Sequence, residues 1–341
     1  MKTSPLFWEK DLMRLIEARN PHQALPKALK MLQDDGHLRK SRAGAVMTVD
    51  GPVTTTYERP WEMVVFQAQR DANPFFHLME ALWMLAGRDD LAFVRRFNRG
   101  IARFAEDEGY FHGAYGRRWR HHFGADQLPS IVRALREQPN CRRQILQMWD
   151  PLIDLNASKR DIPCNITVHF QVSFRKRLDM TVFCRSNDVV WGCYGSDCVT
   201  FGVLQQFVAA AVGVPPGRYF QVSDNFHAYT DTADFALADQ AGEMCPYEWG
   251  SVVPTRLVDH GMDADDFIAD VENFCSGGTT KSWFLQRVAE PMARAYDRFR
   301  GMRNHPERYD LALEELSYGA CHSDWIVAAK EWFERRQQCR A

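Results

Sequence analysis

Residues 161–174 read DIPCNITVHFQVSF and residues 178–183 read LDMTVF. Residues 166–174 and 178–183 alternate apolar and polar positions, and Arg175, Lys176 and Arg177 separate them. A period of two marks half-buried strands, and a short polar break between two such runs marks a hairpin. On either side the pattern turns helical. Residues 73–87 (NPFFHLMEALWMLAG) carry apolar side chains at helical spacing, open on Asn73 and close on Gly87, which predicts a helix. Residues 91–104 continue that spacing, and residues 199–212 predict a strongly apolar helix. Residues 109–119, rich in glycine and aromatics, read as a loop, and residues 144–149 are a short apolar run. Residues 220–222 read as a short strand, followed by a polar turn and residues 226–229. The last hundred residues are mainly helical and end in an amphipathic stripe over 323–336. Strand and helix patterns intermix, so the class is α+β or α/β.

Composition narrows the function. The chain has 341 residues, 45% of them hydrophobic and 25% charged, which excludes a disordered polymer. Its 42 basic residues nearly balance 44 acidic ones, which argues against a protein that coats nucleic acid. No run of about 20 apolar residues exists to span a membrane. Residues 1–14 mix charges with Phe7, Trp8 and Leu12 and lack the apolar core of a secretory signal, so a cytoplasmic location is expected. The nine cysteines are odd in number and form no CxxC pair, and Cys193 and Cys198 lack a His pair at zinc spacing. Reduced thiols and no metal centre are therefore expected.

The strongest chemical signal is Pro163-Cys164 at the strand edge. A free cysteine is ordinarily packing. Arg142 and Arg143 precede this one by about twenty residues, and Arg185 and Ser186 follow at a similar distance. Guanidinium groups lower a thiol pKa and bind phosphate. The combination predicts nucleophilic attack on a phosphorylated substrate. Glu80 stands among Leu82, Trp83 and Leu85, so it reads as a buried carboxylate with a raised pKa. The run Arg117, Arg118, Arg120, His121 and His122 reads as solvated surface.

These residues fall in the order seen in thymidylate synthases, and the chain resembles that family, within it the nucleotide hydroxymethylase branch. Ser41-Arg42-Ala43-Gly44 resembles the phosphate-binding arginine loop. Residues 80–85 (EALWML) resemble the helix of the general-base glutamate, and residues 113–119 (GAYGRRW) the loop of the active-site tyrosine. Cys141-Arg142-Arg143 resembles the arginine pair that crosses to a second subunit, and Pro163-Cys164 the nucleophile. Residues 185–188 (RSND) and 224–229 (DNFHAY) resemble the phosphate, folate and sugar contacts.

The resemblance implies an α+β thymidylate synthase fold with a mixed sheet packed by helices. It implies residues 1–40 as an N-terminal helical segment, 41–235 as catalytic core and 236–341 as a helical extension. It implies catalysis by Cys164, Glu80, Tyr115 and Asp197. Arg42, Arg142, Arg143, Arg185, Ser186, Asp197, His227 and Tyr229 would hold a pyrimidine nucleoside monophosphate. Asp188 and Glu80 would face the cofactor, 5,10-methylenetetrahydrofolate. A homodimer is implied, with Arg142 and Arg143 reaching the partner and no nucleic acid or membrane involved.

The base is read around Asp197, where thymidylate synthases carry Asn. An aspartate accepts from the 4-amino group of cytosine, although Asp also caps helices. The segment runs one residue longer than the family norm. Residues 98–106 hold Ala102 and Phe104 but no Trp, and Asn165 stands where the family has His. A looser site admits water, so the expected reaction is conversion of dCMP to 5-hydroxymethyl-dCMP. Arg142 and Ser186 keep the types of the deoxynucleotide enzymes. The alternatives are a dCMP methylase and a CMP or dUMP hydroxymethylase. A DNA cytosine-C5 methyltransferase would need a Gly-rich donor site after a strand, and none occurs.

Overall fold

A computed structural model describes residues 13–259 and 262–339, so the reading of residues 1–14 lies almost wholly outside them. The larger of two sheets has the strand order β1 (Arg14–Ala18), β4 (Val53–Tyr57), β9 (Pro216–Ser223), β7 (Leu178–Cys184), β6 (Asn165–Val172) and β5 (Ile145–Gln147). β1 with β4 and β7 with β9 run parallel, and the remaining pairs antiparallel. The smaller sheet orders β2 (His37–Ser41), β3 (Gly44–Thr48), β10 (Phe226–Tyr229) and β8 (Asn187–Asp188). Mixed sheets flanked by helices are the expected α+β class.

The predicted hairpin is β6–β7. Val168 pairs with Val182 and Phe170 with Met180, all four buried, while His169 and Gln171 face outward. Alternation thus sets which face meets the core.

Helices α1 (Pro21–Asp35) and α2 (Pro74–Leu85) begin alike. Asn20 and Asn73 accept from the amides of Gln23 and Phe76, and proline occupies the first turn. α2 is buried almost all round and packs against the equally buried α6 (Asp197–Val212). The segment before residue 41 is not purely helical, because β1 and β2 belong to the two sheets. The helix predicted over 91–104 breaks into α3 (Leu91–Arg95) and a 3₁₀ turn, Arg99–Phe104. Asn98 breaks it by accepting from the amide of Gly100.

The predicted loop at 109–119 contains α4 (Tyr115–Arg117), continued as a wide turn through Arg118–His122. Gly116 is needed there. A Cβ would lie 2.0 Å from the Met84 carbonyl oxygen, so only glycine lets this turn close on the end of α2. Nor is the basic run all surface. Arg118 is 1% exposed and bonds Asp154 through both terminal nitrogens, at 2.9 and 3.0 Å. The remaining donors reach the carbonyls of His112 and Met148, so this buried charge is fully satisfied. α5 (Gln127–Glu137) follows it and packs on α6.

Beyond residue 240 the described chain is mostly helical: α7 (Pro246–Trp249), α8 (Ala264–Cys275), α9 (Glu290–Gly301), α10 (Arg308–Ser317) and α11 (Asp324–Gln338). α8, α9 and α11 pack on α2 and so brace the helix that carries Glu80. Among the described residues no helix is long and apolar enough to cross a membrane.

Candidate active site

The hairpin register brings nucleophile and arginine together. Asn165 pairs with Cys184, so Cys164 and Arg185 meet just beyond the ladder, and the Arg185 amide donates to the Cys164 carbonyl at 2.9 Å. The guanidinium folds back over this loop. It donates to the Pro163 and Ile162 carbonyls at 2.9 and 3.2 Å and lies 3.9 Å from the Cys164 sulfur. Trp149 supports it from below, 5.6 Å from the ring centre. Cys164 itself is half-buried.

The expectation that arginines depress this thiol is corrected. Burial pushes the Cys164 thiol up to about 11; Arg185 opposes this, and Asp197 and Asp161 add to it. One guanidinium cannot outweigh burial beside two carboxyls. Arg42 stands exposed at the tip of the β2–β3 hairpin, and Arg142 and Arg143 stand exposed just before β5. Among the described residues none of these three bonds to Cys164. Ser186 contributes its carbonyl to the Cys184 thiol at 3.1 Å.

Glu80 projects from α2 with Oε2 buried and unpartnered. Burial raises its pKa to about 8; a hydrogen bond from Ser196 lowers it, and Asp197 and Asp161 raise it further. Before Asp197 the chain makes a wide helical turn, Val189–Ser196, whose Tyr194 and Gly195 leave helical geometry. Asp188 opens that turn by accepting from the Trp191 amide at 2.7 Å. Asp197 already has helical backbone angles, and α6 has no side-chain cap, so the helix-cap reading fails.

Asp197 is 7% exposed, and its Oδ2 accepts from Asn165 Nδ2 at 3.0 Å. Burial raises its pKa to about 6 despite that bond. The same Asn165 nitrogen donates to the Tyr115 hydroxyl at 3.0 Å. Gly192 lies over both Asn187 and Asp197: a Cβ there would meet Asn187 Oδ1 at 2.8 Å and Asp197 Oδ2 at 3.4 Å.

The small sheet gathers the rest. β8 and β10 pair His227 with Asp188. The buried His227 ring meets Tyr229 edge-on at 5.3 Å, and its Nδ1 lies 3.3 Å from the Asn225 carbonyl oxygen. Asp188 Oδ1 is buried and unpartnered, and burial raises that carboxyl's pKa. β3 lies beside β10, which places the Arg42 hairpin at the Tyr229 end of the sheet.

Sequence reasoning missed Trp149, Asp161, Trp191, Ser196 and Gln221. Asp161 accepts from the Gly113 amide at 3.0 Å, which ties the nucleophile loop to the tyrosine loop. Trp191 is a 44% exposed indole beside Phe76 and Asp188, whereas residues 98–106 offer none. Its place in an apolar run hid it among core residues.

Glu80 makes a test of its own. Its folded pKa of about 8 stands above the usual 4.5. Below 4.5 the group is protonated in both states and costs nothing. Between these values only the unfolded chain ionises, so stability falls as pH rises, and the loss is complete above about 8. Glu80→Gln is expected to raise stability by about 2–3 kcal/mol at neutral pH and to change it little near pH 4. It is also expected to lower turnover by about 10²–10⁴-fold. Denaturant titrations at both pH values check the first statement; equal gains at both would show that the carboxyl is not held protonated.

A family model described as "Thymidylate synthase" matches residues 29–245. The chain is 45% identical over 337 residues, 95% of each sequence, to a protein of Pseudomonas phage M6 named deoxyuridylate hydroxymethyltransferase. It is 30% identical over 230 residues, 64% of this chain and 60% of the relative, to a protein of the same name from Bacillus phage SP01. A putative thymidylate synthase of Methanothermobacter marburgensis is 34% identical over 125 residues, 37% of this chain and 54% of that protein.

Proposed function

The chain belongs to the thymidylate synthase family, and from this we propose that it hydroxymethylates C5 of deoxycytidylate. It is a one-carbon transferase on that fold. The observation that carries the base choice is Asp197, a buried carboxyl beside the nucleophile whose Oδ2 accepts from Asn165. With a pKa of about 6 it is largely ionised at neutral pH and can only accept. Cytosine offers the matching 4-amino donor; uracil would point a carbonyl oxygen at the carboxylate.

Phosphate binding would position the nucleotide against the nucleophile. Arg185 would clamp the 5′-phosphate together with Arg42 and with Arg142 and Arg143 of a second copy, in the bidentate mode that suits a phosphate dianion. His227 and Tyr229 would hold the sugar. The clamp sets C6 against the Cys164 sulfur, which is catalysis by positioning. Addition of the thiolate at C6 makes C5 nucleophilic. The ionised fraction of Glu80, which grows as pH rises toward about 8, would take the C5 proton through the free oxygen, and the Tyr115 hydroxyl, accepting from Asn165, would stand on the nucleophile's side.

Asp188 and Glu80 each present a buried, unpartnered oxygen, and Trp191 adds an exposed ring. Acceptors and an aromatic face suit the donor-edged pterin of methylenetetrahydrofolate. When bound, that group supplies a one-carbon unit at the oxidation level of formaldehyde. Water rather than hydride would complete the product, in keeping with relatives named hydroxymethyltransferases.

The uracil nucleotide is the second reading, favoured by the same relatives' names. Incubating dCMP and dUMP separately with methylenetetrahydrofolate and weighing the products decides between them. The expected result is a dCMP product heavier by one CH₂O unit and no accumulation of dihydrofolate. Exclusive use of dUMP would overturn the base reading, and a CH₂ gain with dihydrofolate would overturn the hydroxymethyl reading.

A further inference from the structure

Asn165 begins β6 at a bulge: it pairs with Cys184, while Thr167 already pairs with Phe183. A bulge re-aims a side chain, and this one turns Asn165 inward, 0% exposed. Behind it stand Gln221 and Tyr219, on the same face of β9 and both buried. The Tyr219 hydroxyl donates to Gln221 Oε1. Gln221 Nε2 donates to Asn165 Oδ1 at 3.2 Å. Asn165 Nδ2 then donates to Asp197 Oδ2 at 3.0 Å.

The direction of this chain follows from chemistry. An ionised carboxylate only accepts, so Asn165 must turn its amide nitrogen forward. Its oxygen then faces back and requires a donor, which among the described residues is the nitrogen of Gln221. Gln221 in turn shows its oxygen to Tyr219. Reversing any one amide would set two acceptors or two donors face to face in a dry interior, a high cost for buried groups.

We propose that Asn165, backed by Gln221, is the positioning residue for base choice, holding Asp197 as a hydrogen-bond acceptor toward the pyrimidine. The inference rests on the reading of Asp197 as the base-contacting residue. Without the amide donor, Asp197 keeps a proton to higher pH and can then offer a donor to a uracil carbonyl. Discrimination therefore weakens although no contact to the base has been removed.

Calorimetric binding of dCMP and dUMP to the folate-free protein tests this in wild type, Asn165→Ala and Gln221→Met, with circular dichroism confirming the fold. For Asn165→Ala we expect dCMP affinity to fall at least about tenfold and dUMP affinity to change less than about threefold. The pH midpoint of dCMP binding should also move upward. Gln221→Met, one step further back, should move both quantities the same way by less, and it carries the test if Asn165→Ala does not fold. Equal weakening of both nucleotides, or no change in their ratio in a folded variant, overturns the proposal. A wild-type preference for dUMP would instead refute the substrate reading; the Asn165 assignment is still judged by whether the dCMP-to-dUMP ratio falls in the variants.

Discussion

Cys164→Ala is expected to abolish turnover, by at least about 10⁴-fold, while leaving the fold intact. The β6–β7 register delivers this sulfur beside Arg185, 3.9 Å from its guanidinium. It is half-buried and bonded to nothing stronger than the Ile162 carbonyl at 3.9 Å, so removing it breaks no core contact. Nucleotide binding should survive within a few-fold, because phosphate and base contacts lie on other side chains. Rapid-quench measurement of product, with calorimetry for binding, checks both halves. Activity within about a hundredfold of wild type would mean that some other group starts the reaction. The raised thiol pKa of about 11 adds a second expectation. Alkylation of Cys164 in the unliganded protein at neutral pH should be slow, since most of the sulfur is protonated.

Asp197→Asn is the second large effect. A carboxamide can donate to a carbonyl at C4, which the ionised carboxylate cannot, and it can still accept from N3–H. The ratio of kcat/KM for dCMP over dUMP is expected to fall by about 100-fold or more, the cost of opposing two like hydrogen-bonding groups. Asn165 would keep its place by donating to the new amide oxygen. An unchanged ratio would remove Asp197 from base recognition and with it the support for cytosine.

Much of this site could be read before any fold was known, because its geometry follows from strand periodicity. Alternation over residues 166–183 sets the hairpin, and the hairpin sets Cys164 next to Arg185. Helical spacing around Glu80 likewise implies a buried carboxyl, which α2 provides. Contacts between distant segments were not legible. Gln221 reads as one polar position in a strand, and nothing local says that it reaches Asn165 across β7. Arg118 looks like surface until Asp154, from a turn far along the chain, is folded over it. Charge was misjudged for the same reason. The sequence shows arginines near Cys164, but burial and two carboxyls, whose weight depends on distance, decide the thiol. β2 escaped notice because an edge strand exposed along nearly all its length carries no alternation, and β1 because Leu15 beside Ile16 breaks the sequence pattern although burial alternates.

On this reading catalysis begins with a bond between the Cys164 sulfur and C6 of the nucleotide. It is tested most directly without folate, in deuterated water, by following the C5 proton of the nucleotide that the enzyme turns over. Addition at C6 makes C5 basic, so the proton should exchange with solvent in the wild-type protein and fade from the proton spectrum. It should persist unchanged with Cys164→Ala. Exchange that continues in the absence of the sulfur, or product formation by a wild-type protein that never exchanges C5, would contradict the claim.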